Sequence, residues 1–351
     1  MRLTGRGHEL VRATHAKTLE FTPDTEITAR ATCVLAVGVD ARPAAPLAGP
    51  VRITITVGSE SFTLHARANP SWDPRGPMVV RRSPLRLPGT LATHADAAAS
   101  DLPRPLIAAL RAGEPVEVLV EPEPSNEPTV VLFAADPDRP DDAALRAELD
   151  AADTVLAEDP EAVRRIGRHD ARPGPRTLVV ATRDLPGRTV VAELAEAAIE
   201  TVGLPARLAV AAASPSRGPV TFVPDDADAR AVLRSVPIAH RLVLSTSPDR
   251  LPALVALAKE HRGTAGGVLA QEHLSPTRIR DGVVAELPSQ DTVHVCLDAR
   301  AGESALDPAV RAAIAGLVAD GVPTKTAARA LAELTGWPRR RAYEFLLDGP
   351  G

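Results

Sequence analysis

Three groups of residues have types and spacings that could do chemistry. His8, His15 and Cys33 combine two imidazoles with a thiol, a set able to bind zinc or pass protons. His8 and His15 are seven residues apart, so on one extended strand they face opposite sides, and only a turn between them changes that. The plainer reading is that all three hydrogen-bond or pack inside a small barrel or sheet, with Cys33 acting as a small hydrophobe. Glu158 and Asp159 follow the apolar run TVLA. At the C-terminal end of a strand in an open α/β sheet such carboxylates meet ligands. Asp159 just before Pro160 equally suits a helix N-cap. Trp337, Arg339, Arg340, Arg341 and Tyr343, with Lys325 upstream, form the one basic and aromatic cluster. Arginine pairs with phosphates, and Trp and Tyr stack on unpaired bases. Three consecutive arginines cannot share one helix face, and the two rings would serve equally to staple small helices together.

Other chemistries find no support. No Gly-x-Ser-x-Gly, Walker-type loop, HExxH or histidine-rich run occurs, and the two cysteines, Cys33 and Cys296, have no metal-type spacing, so no metal site is expected. Of 40 Lys and Arg only Lys17, Lys259 and Lys325 are lysine, and aromatics are 2%. The core must therefore be built from Val, Leu, Ile and Ala. No stretch of about 18 apolar residues exists, and MRLTGRGHEL lacks the apolar region of a signal peptide. A cytoplasmic protein without membrane contact is expected. The net charge of −5 lies beyond residue 127, yet the last 31 residues carry five basic and three acidic groups. Any nucleic-acid contact is thus local to the tail.

These groups must be positioned by the elements around them. Residues 1–127 read mainly as β: Val51–Ala66 alternates around a VGSES turn like a hairpin, and 31–39, 78–82 and 116–120 are further strands. Ala95–Arg111 reads as a helix starting near Leu102 because of Pro103 and Pro105. EPEPSNEP (121–128) reads as a linker. Beyond it, strand-like runs at 129–133, 177–181, 207–212, 241–245, 266–270 and 292–297 alternate with helical stretches at 141–152, 188–202, 225–235, 249–261 and 307–320. That rhythm predicts an α/β layered sheet. GTAGG (263–267) reads as a turn before a strand. Residues 320–347 read as two short helices broken by TGWP, a helix-turn-helix-like outline. The expected architecture is an α/β multidomain chain: a mainly-β domain with one helix over 1–127, an α/β region over 128–305 and a helical extension over 306–351.

Two family resemblances accompany this reading. RGHELVRATHAKTLEFTPDTEITARATCVLAVGVD (Arg6–Asp40) and ATHADAAASDLPRPLIAALRAG (Ala92–Gly113) resemble DUF371, a small β-rich family whose activity is not established. GLVADGVPTKTAARALAELTGWPRRRAYEFLLD (Gly316–Asp348) resembles the C-terminal extension of the methyltransferase that modifies a cytidine 2′-hydroxyl in small-subunit ribosomal RNA, within the tetrapyrrole-methylase superfamily. STSPDRLPALVALAKEH (Ser245–His261), AQEHLSPTRIRDGVVAEL (Ala270–Leu287) and LDAADTVLAEDPEAVRRIGRH (Leu149–His169) are similar to further segments of that enzyme. The resemblance implies a tetrapyrrole-methylase-like fold, S-adenosylmethionine (SAM) as cofactor and RNA as partner. It implies cofactor contacts at Ala134, Asp136, Glu158, Asp159 and Gly187, and RNA contacts at Lys325, Trp337, Arg339, Arg340, Arg341 and Tyr343.

The loops that would hold SAM depart from the family's pattern. TVVLFAADPDRPDD (Thr129–Asp142) has no glycine, and only Gly187 remains in ATRDLPGRT (Ala181–Thr189). Glycine allows a ligand to approach the backbone closely, Pro137 and Pro140 remove donors, and Asp136, Asp138, Asp141 and Asp142 crowd negative charge there. A carboxylate could still bind ribose hydroxyls or attract the sulfonium. The expectation is an RNA-interacting protein on a methyltransferase-like scaffold with weak or absent catalysis. An active SAM-dependent RNA methyltransferase with a divergent pocket, and a non-enzymatic structural or assembly protein, are the alternatives; self-association into a homodimer is compatible with each.

Overall fold

The computed structural model describes the chain except residues 42–44, 125–126, 137, 140–141, 189–196, 217, 226, 237, 263–265, 281, 285–290, 300–307, 336–338 and 348–351. Its fold begins with strands whose side chains alternate. β1 (Arg2–Arg6), β2 (Thr18–Phe21), β3 (Val34–Asp40), β4 (Gly49–Val57), β5 (Glu60–Ala68), β6 (Met78–Arg81), β7 (Thr90–Thr93) and β8 (Pro115–Pro122) close a barrel in the order β1-β3-β2-β6-β7-β5-β4-β8. Along β4, Val51, Ile53, Ile55 and Val57 are buried while intervening residues are more exposed, the period-two pattern of a strand with one face inward. The expected hairpin is β4–β5, turning at Gly58 (φ +57°) and running in register from Val57–Glu60 to Gly49–Ala68.

The helix read over Ala95–Arg111 divides at its prolines into a 3-10 turn (Ala99–Asp101) and α1 (Arg104–Arg111), the latter anchored by Leu106 and Leu110. α1 passes so close to the N-terminal chain that a Cβ on Gly7 would overlap the Leu110 carbonyl, while the Gly7 amide donates to Glu114 O at 2.9 Å. The glycine of the RGH triplet is thus a packing requirement. Gly7→Ala should cost about 1–3 kcal/mol from overpacking, seen as a lower urea midpoint by Trp72 fluorescence in a Trp337→Phe background. An unchanged midpoint would refute that account.

The next layers alternate strand and helix. β9 (Thr129–Ala134), β10 (Thr154–Ala157), β11 (Arg176–Ala181) and β12 (Ala198–Val202) form a parallel sheet in the order β10-β11-β9-β12. β9, β10 and β11 are almost wholly buried, as expected of strands covered on both faces. α2 (Ala143–Ala151) and α3 (Pro160–Ile166) connect them, and α4 (Ala206–Ala213) follows β12.

Two expectations fail here. Residues 207–212, read as a strand, are helical, because an alanine-rich apolar run carries no periodicity that separates a buried helix from a buried strand. The end of the stretch read as a helix over 188–202 is β12; pairing of Ile199, Thr201 and Val202 beside β9 outweighs the helical preference of the neighbouring Ala and Glu. Residues 189–196 of that stretch lie outside the described residues, as do 263–265 of the GTAGG turn.

A second sheet, order β13-β14-β17-β15-β16, comprises β13 (Val220–Phe222), β14 (Arg241–Thr246), β15 (Gly267–Ala270), β16 (Thr277–Ile279) and β17 (Val293–Leu297). α5 (Ala229–Ser235) and α6 (Leu251–Arg262) contribute Leu233, Leu251, Leu254, Val255 and Ala258 to its core. α7 (Pro308–Ala319), α8 (Thr324–Thr335) and α9 (Arg339–Leu347) end the chain. Two compact units result: residues 1–213 with 270–277, and residues 214–269 with 278–351. The first therefore holds both the barrel and the parallel sheet. Among the described residues no helix is long and apolar enough to cross a membrane.

Candidate functional site

At the C-terminal ends of the parallel strands, the loops that would cradle a cofactor bond to one another. After β9, Ala135 N donates to Ala181 O at 2.9 Å, and Asp136 Oδ1 accepts from Asp138 N. Arg165 of α3 donates to the carbonyl of Asp136 at 2.5 Å and also to that of Arg139. Asp142 caps α2. Glu158 Oε2 accepts from the amides of Gly187 (2.7 Å) and Arg188 (3.2 Å). Consecutive backbone amides of this kind make an anion-binding nest, and here an internal carboxylate occupies it.

Asp159 caps α3 through Ala162 N at 2.8 Å and binds both the amide and the hydroxyl of Thr182 at 2.7 Å. Burial alone would raise its pKa; the donors from Thr182 and Ala162 outweigh that and hold it below the ordinary carboxylate range. Asp159 is thus the N-cap of the plainer reading. Ala134 ends β9, one residue before the loop. The structure brings Glu158, Asp159 and Gly187 together, but as staples of the loops. Among the described residues, the Gly187 and Arg188 amides that a cofactor would meet are taken by Glu158.

The histidines and Cys33 occupy turns and a strand edge of the barrel. His8 Nδ1 accepts from Leu10 N, and its Nε2 lies 3.3 Å from Glu26 Oε2. His15 Nδ1 accepts from Thr18 N at 3.1 Å and meets Thr18 Oγ1 at 2.8 Å. Each ring thus closes its own short turn. Cys33 Sγ donates to Glu20 Oε2 at 3.3 Å. Burial first, and then the Glu20 carboxylate, push the thiol up to about 11. Among the described residues no group of three His, Cys, Asp or Glu is placed to hold a metal. Alkylation of native Cys33 by iodoacetamide should be slow at pH 8 and accelerate only as the pH nears 11, because the thiolate is the nucleophile. A fast reaction at pH 8 would contradict this.

The tail is a three-helix unit. Ile314 of α7, Ala327, Ala328 and Leu331 of α8, and Ala342 and Leu346 of α9 form its core. Tyr343 is half-buried against that core, acting as a staple. Lys325, Arg329, Arg339 and Arg340 are exposed. Lys325 and Arg329 are one turn apart on α8. Arg329 belongs with the basic set; its four-residue spacing from Lys325 was the sequence signal for it. Arg339, Arg340 and Arg341 occupy the first turn of α9, and that turn itself contains no acidic residue. Cations there oppose the helix dipole. Arg340 pairs with Glu344 at 2.8 Å, an exposed ion pair of the kind that contributes little to stability. Trp337 lies outside the described residues.

The first unit also contains groups that no sequence pattern marked. Glu200 on β12 is buried and receives Arg67 at 2.8 Å and Arg86 at 3.2 Å, both from the barrel, with Arg176 of β11 at 3.8 Å. Arg176 also pairs with Glu148 at 2.6 Å, and Arg67 with the exposed Glu127 at 2.7 Å. Against the upward push of burial, the charges of Arg86, Arg176 and Arg67 hold the Glu200 carboxyl at about 2. A glutamate between the β-branched residues Ile199 and Thr201 was the available signal, hidden by reading that stretch as a helix.

Two family models match the chain. Residues 3–123 match DUF371, a domain of unknown function, and residues 304–349 match the RsmI C-terminal HTH domain. No curated protein matches the chain. The first region covers the barrel and the second covers α7–α9, so one polypeptide carries a DUF371-like barrel at one end and an RsmI-type helix-turn-helix domain at the other.

Proposed function

We propose that the protein binds RNA, with ribosomal RNA the first candidate, through α8 and α9. In this reading it uses a methyltransferase-like scaffold whose cofactor loops have lost SAM and whose catalysis is weak or absent. The observation that carries it is the first turn of α9: three arginines stand where the helix dipole disfavours them, in a domain matching the RsmI C-terminal HTH domain. Destabilising charge kept at an exposed helix start is what phosphate recognition requires. In helix-turn-helix proteins the N-terminal residues of the second helix enter the groove, so Arg339–Arg341 would lead, with Lys325 and Arg329 as flanking phosphate contacts. Tyr343, half-buried, supports the helices.

The test is filter binding of small-subunit ribosomal RNA fragments to the whole chain and to a variant with Arg339, Arg340 and Arg341 changed to Ala. Unchanged binding in the variant would sink the tail's role. Calorimetry with SAM and its demethylated product is expected to show no heat; saturable binding would restore the reading as a methyltransferase.

A further inference from the structure

A cleft of about 370 Å³ lies within the first unit, where the barrel segment joining β6 and β7, the turn between β12 and α4, and residues 271–274 meet. Its volume is in the range of small-molecule sites, and it opens at the C-terminal end of a parallel strand, where α/β sheets bind ligands. Its charged walls are Arg86, Glu272 and Asp73, the last paired with Arg75 at 2.7 Å, and its apolar walls include Leu87, Leu204 and Leu274.

Three observations give the cleft a preferred charge. The Arg86 side chain is only 13% exposed, and its buried Nε–H has no acceptor among the described residues. Behind it lies a cluster of buried charge. Three guanidinium groups, of Arg67, Arg86 and Arg176, converge on Glu200 and Glu148. The charges of Arg86, Arg176 and Arg67 hold the Glu200 carboxyl low, whereas burial pushes that of Glu148 up.

The third observation is at the start of α4. Pro205 offers no side-chain oxygen as a cap, and the Ala206 amide is taken instead by Glu272 Oε1 at 3.3 Å, from 66 residues away. An internal carboxylate therefore stands where a helix N-terminus would hold an anion. Glu272 is exposed, and the next residue, His273, sits at φ +64°, in the left-handed region that costs a non-glycine residue energy.

We propose that this cleft binds a small organic oxyanion, a carboxylate or phosphomonoester on an apolar body of nucleoside size or less. The oxyanion lies against Arg86 and the Ala206 amide, in the place Glu272 now holds. Its body lies among Leu87, Leu204 and Leu274. Glu272 is an internal competitor: the ligand displaces it and no bond is made or broken.

Calorimetry on the full chain tests this with three probes: a nucleoside monophosphate, benzoate, and inorganic phosphate as the bare anion. At least one of the two organic anions should bind with Kd at or below about 1 mM, and phosphate more weakly for want of a body. Whichever organic probe binds better assigns the source of the oxyanion. Glu272→Gln removes the competitor's negative charge and leaves a weaker acceptor, so binding of an anion should tighten several-fold, since an occupied site lowers apparent affinity by its occupied fraction. Arg86→Met should abolish it. Because Arg86 also holds Glu200, the exposed Glu272 carries the decision. No binding to either the native chain or Glu272→Gln, or binding that Glu272→Gln leaves unchanged, overturns the proposal.

Discussion

Glu200→Gln is expected to destabilise the first unit by about 3–5 kcal/mol, the usual cost of removing one partner from a buried ionic cluster. The change keeps the shape of the side chain and removes the charge on which Arg67, Arg86 and Arg176 converge. Of the carboxylates described as pairing with these three guanidinium groups, the buried Glu148 and the exposed Glu127 then remain. Arg67 and Arg86 come from the barrel and Glu200 from the parallel sheet, so the loss should appear as one lowered transition of both parts. Urea unfolding followed by Trp72 fluorescence in the Trp337→Phe background measures it.

The pH dependence of the same pair of proteins gives a second readout. The folded value of Glu200, about 2, lies below its ordinary 4.5. Its stabilisation is therefore complete above about pH 4.5 and is lost as pH falls from there through about 2. Glu148 has the opposite sign: its carboxyl is raised by burial, so its contribution is full below 4.5 and declines as pH rises through its folded value. The difference between native protein and Glu200→Gln isolates the first effect. It should shrink between pH 4.5 and 2. A constant difference across that window, or equal midpoints at pH 7, would mean that the cluster does not join barrel to sheet energetically.

Changing Arg339, Arg340 and Arg341 to Ala should weaken RNA binding by about ten- to a hundredfold near physiological salt, at about 1 kcal/mol or somewhat less per lost contact. The salt dependence is the sharper quantity. Each phosphate contact on single-stranded RNA contributes about 0.7 to the slope of log affinity against log salt, and about 0.9 on a duplex. Loss of all three contacts should flatten the slope by roughly 2 to 3. The helices should meanwhile become no less stable, because removing cations from the first turn of α9 relieves their conflict with the dipole. Weaker binding with an unchanged or higher thermal midpoint marks an interface. Weaker binding with a lower midpoint would mark Arg339–Arg341 as structural, against this proposal.

How far these sites were legible depends on whether their signal was local. The cap at Asp159, the β4–β5 hairpin, the helix boundary at Pro103 and the two tail helices follow from residue type and spacing over a few positions. So did the basic set of the tail, apart from Arg329. Tyr343 was legible as a ring between helices, but whether it faces a base or the core depends on how α9 packs against α7 and α8.

The exchanged assignments of 198–202 and 207–212 have one cause. Short apolar stretches rich in Ala, Glu, Val and Ile suit helix and strand nearly equally, and the place beside β9 decides between them. Once β12 was hidden, so was Glu200, because a glutamate on a helix needs no partner and one inside a buried parallel strand does.

By itself the sequence determined a β-rich region, an alternating α/β region and a helical basic tail, since hydrophobic period, proline and caps act within a few residues of chain. Only the tertiary structure decided what the charged groups do. Glu158 meets Gly187 across 29 residues, Arg67 meets Glu200 across 133, and Glu272 reaches Ala206 across 66. A carboxylate's role is set by the charges and amides that folding brings within about 3 Å of it, and separation along the chain carries no record of that distance.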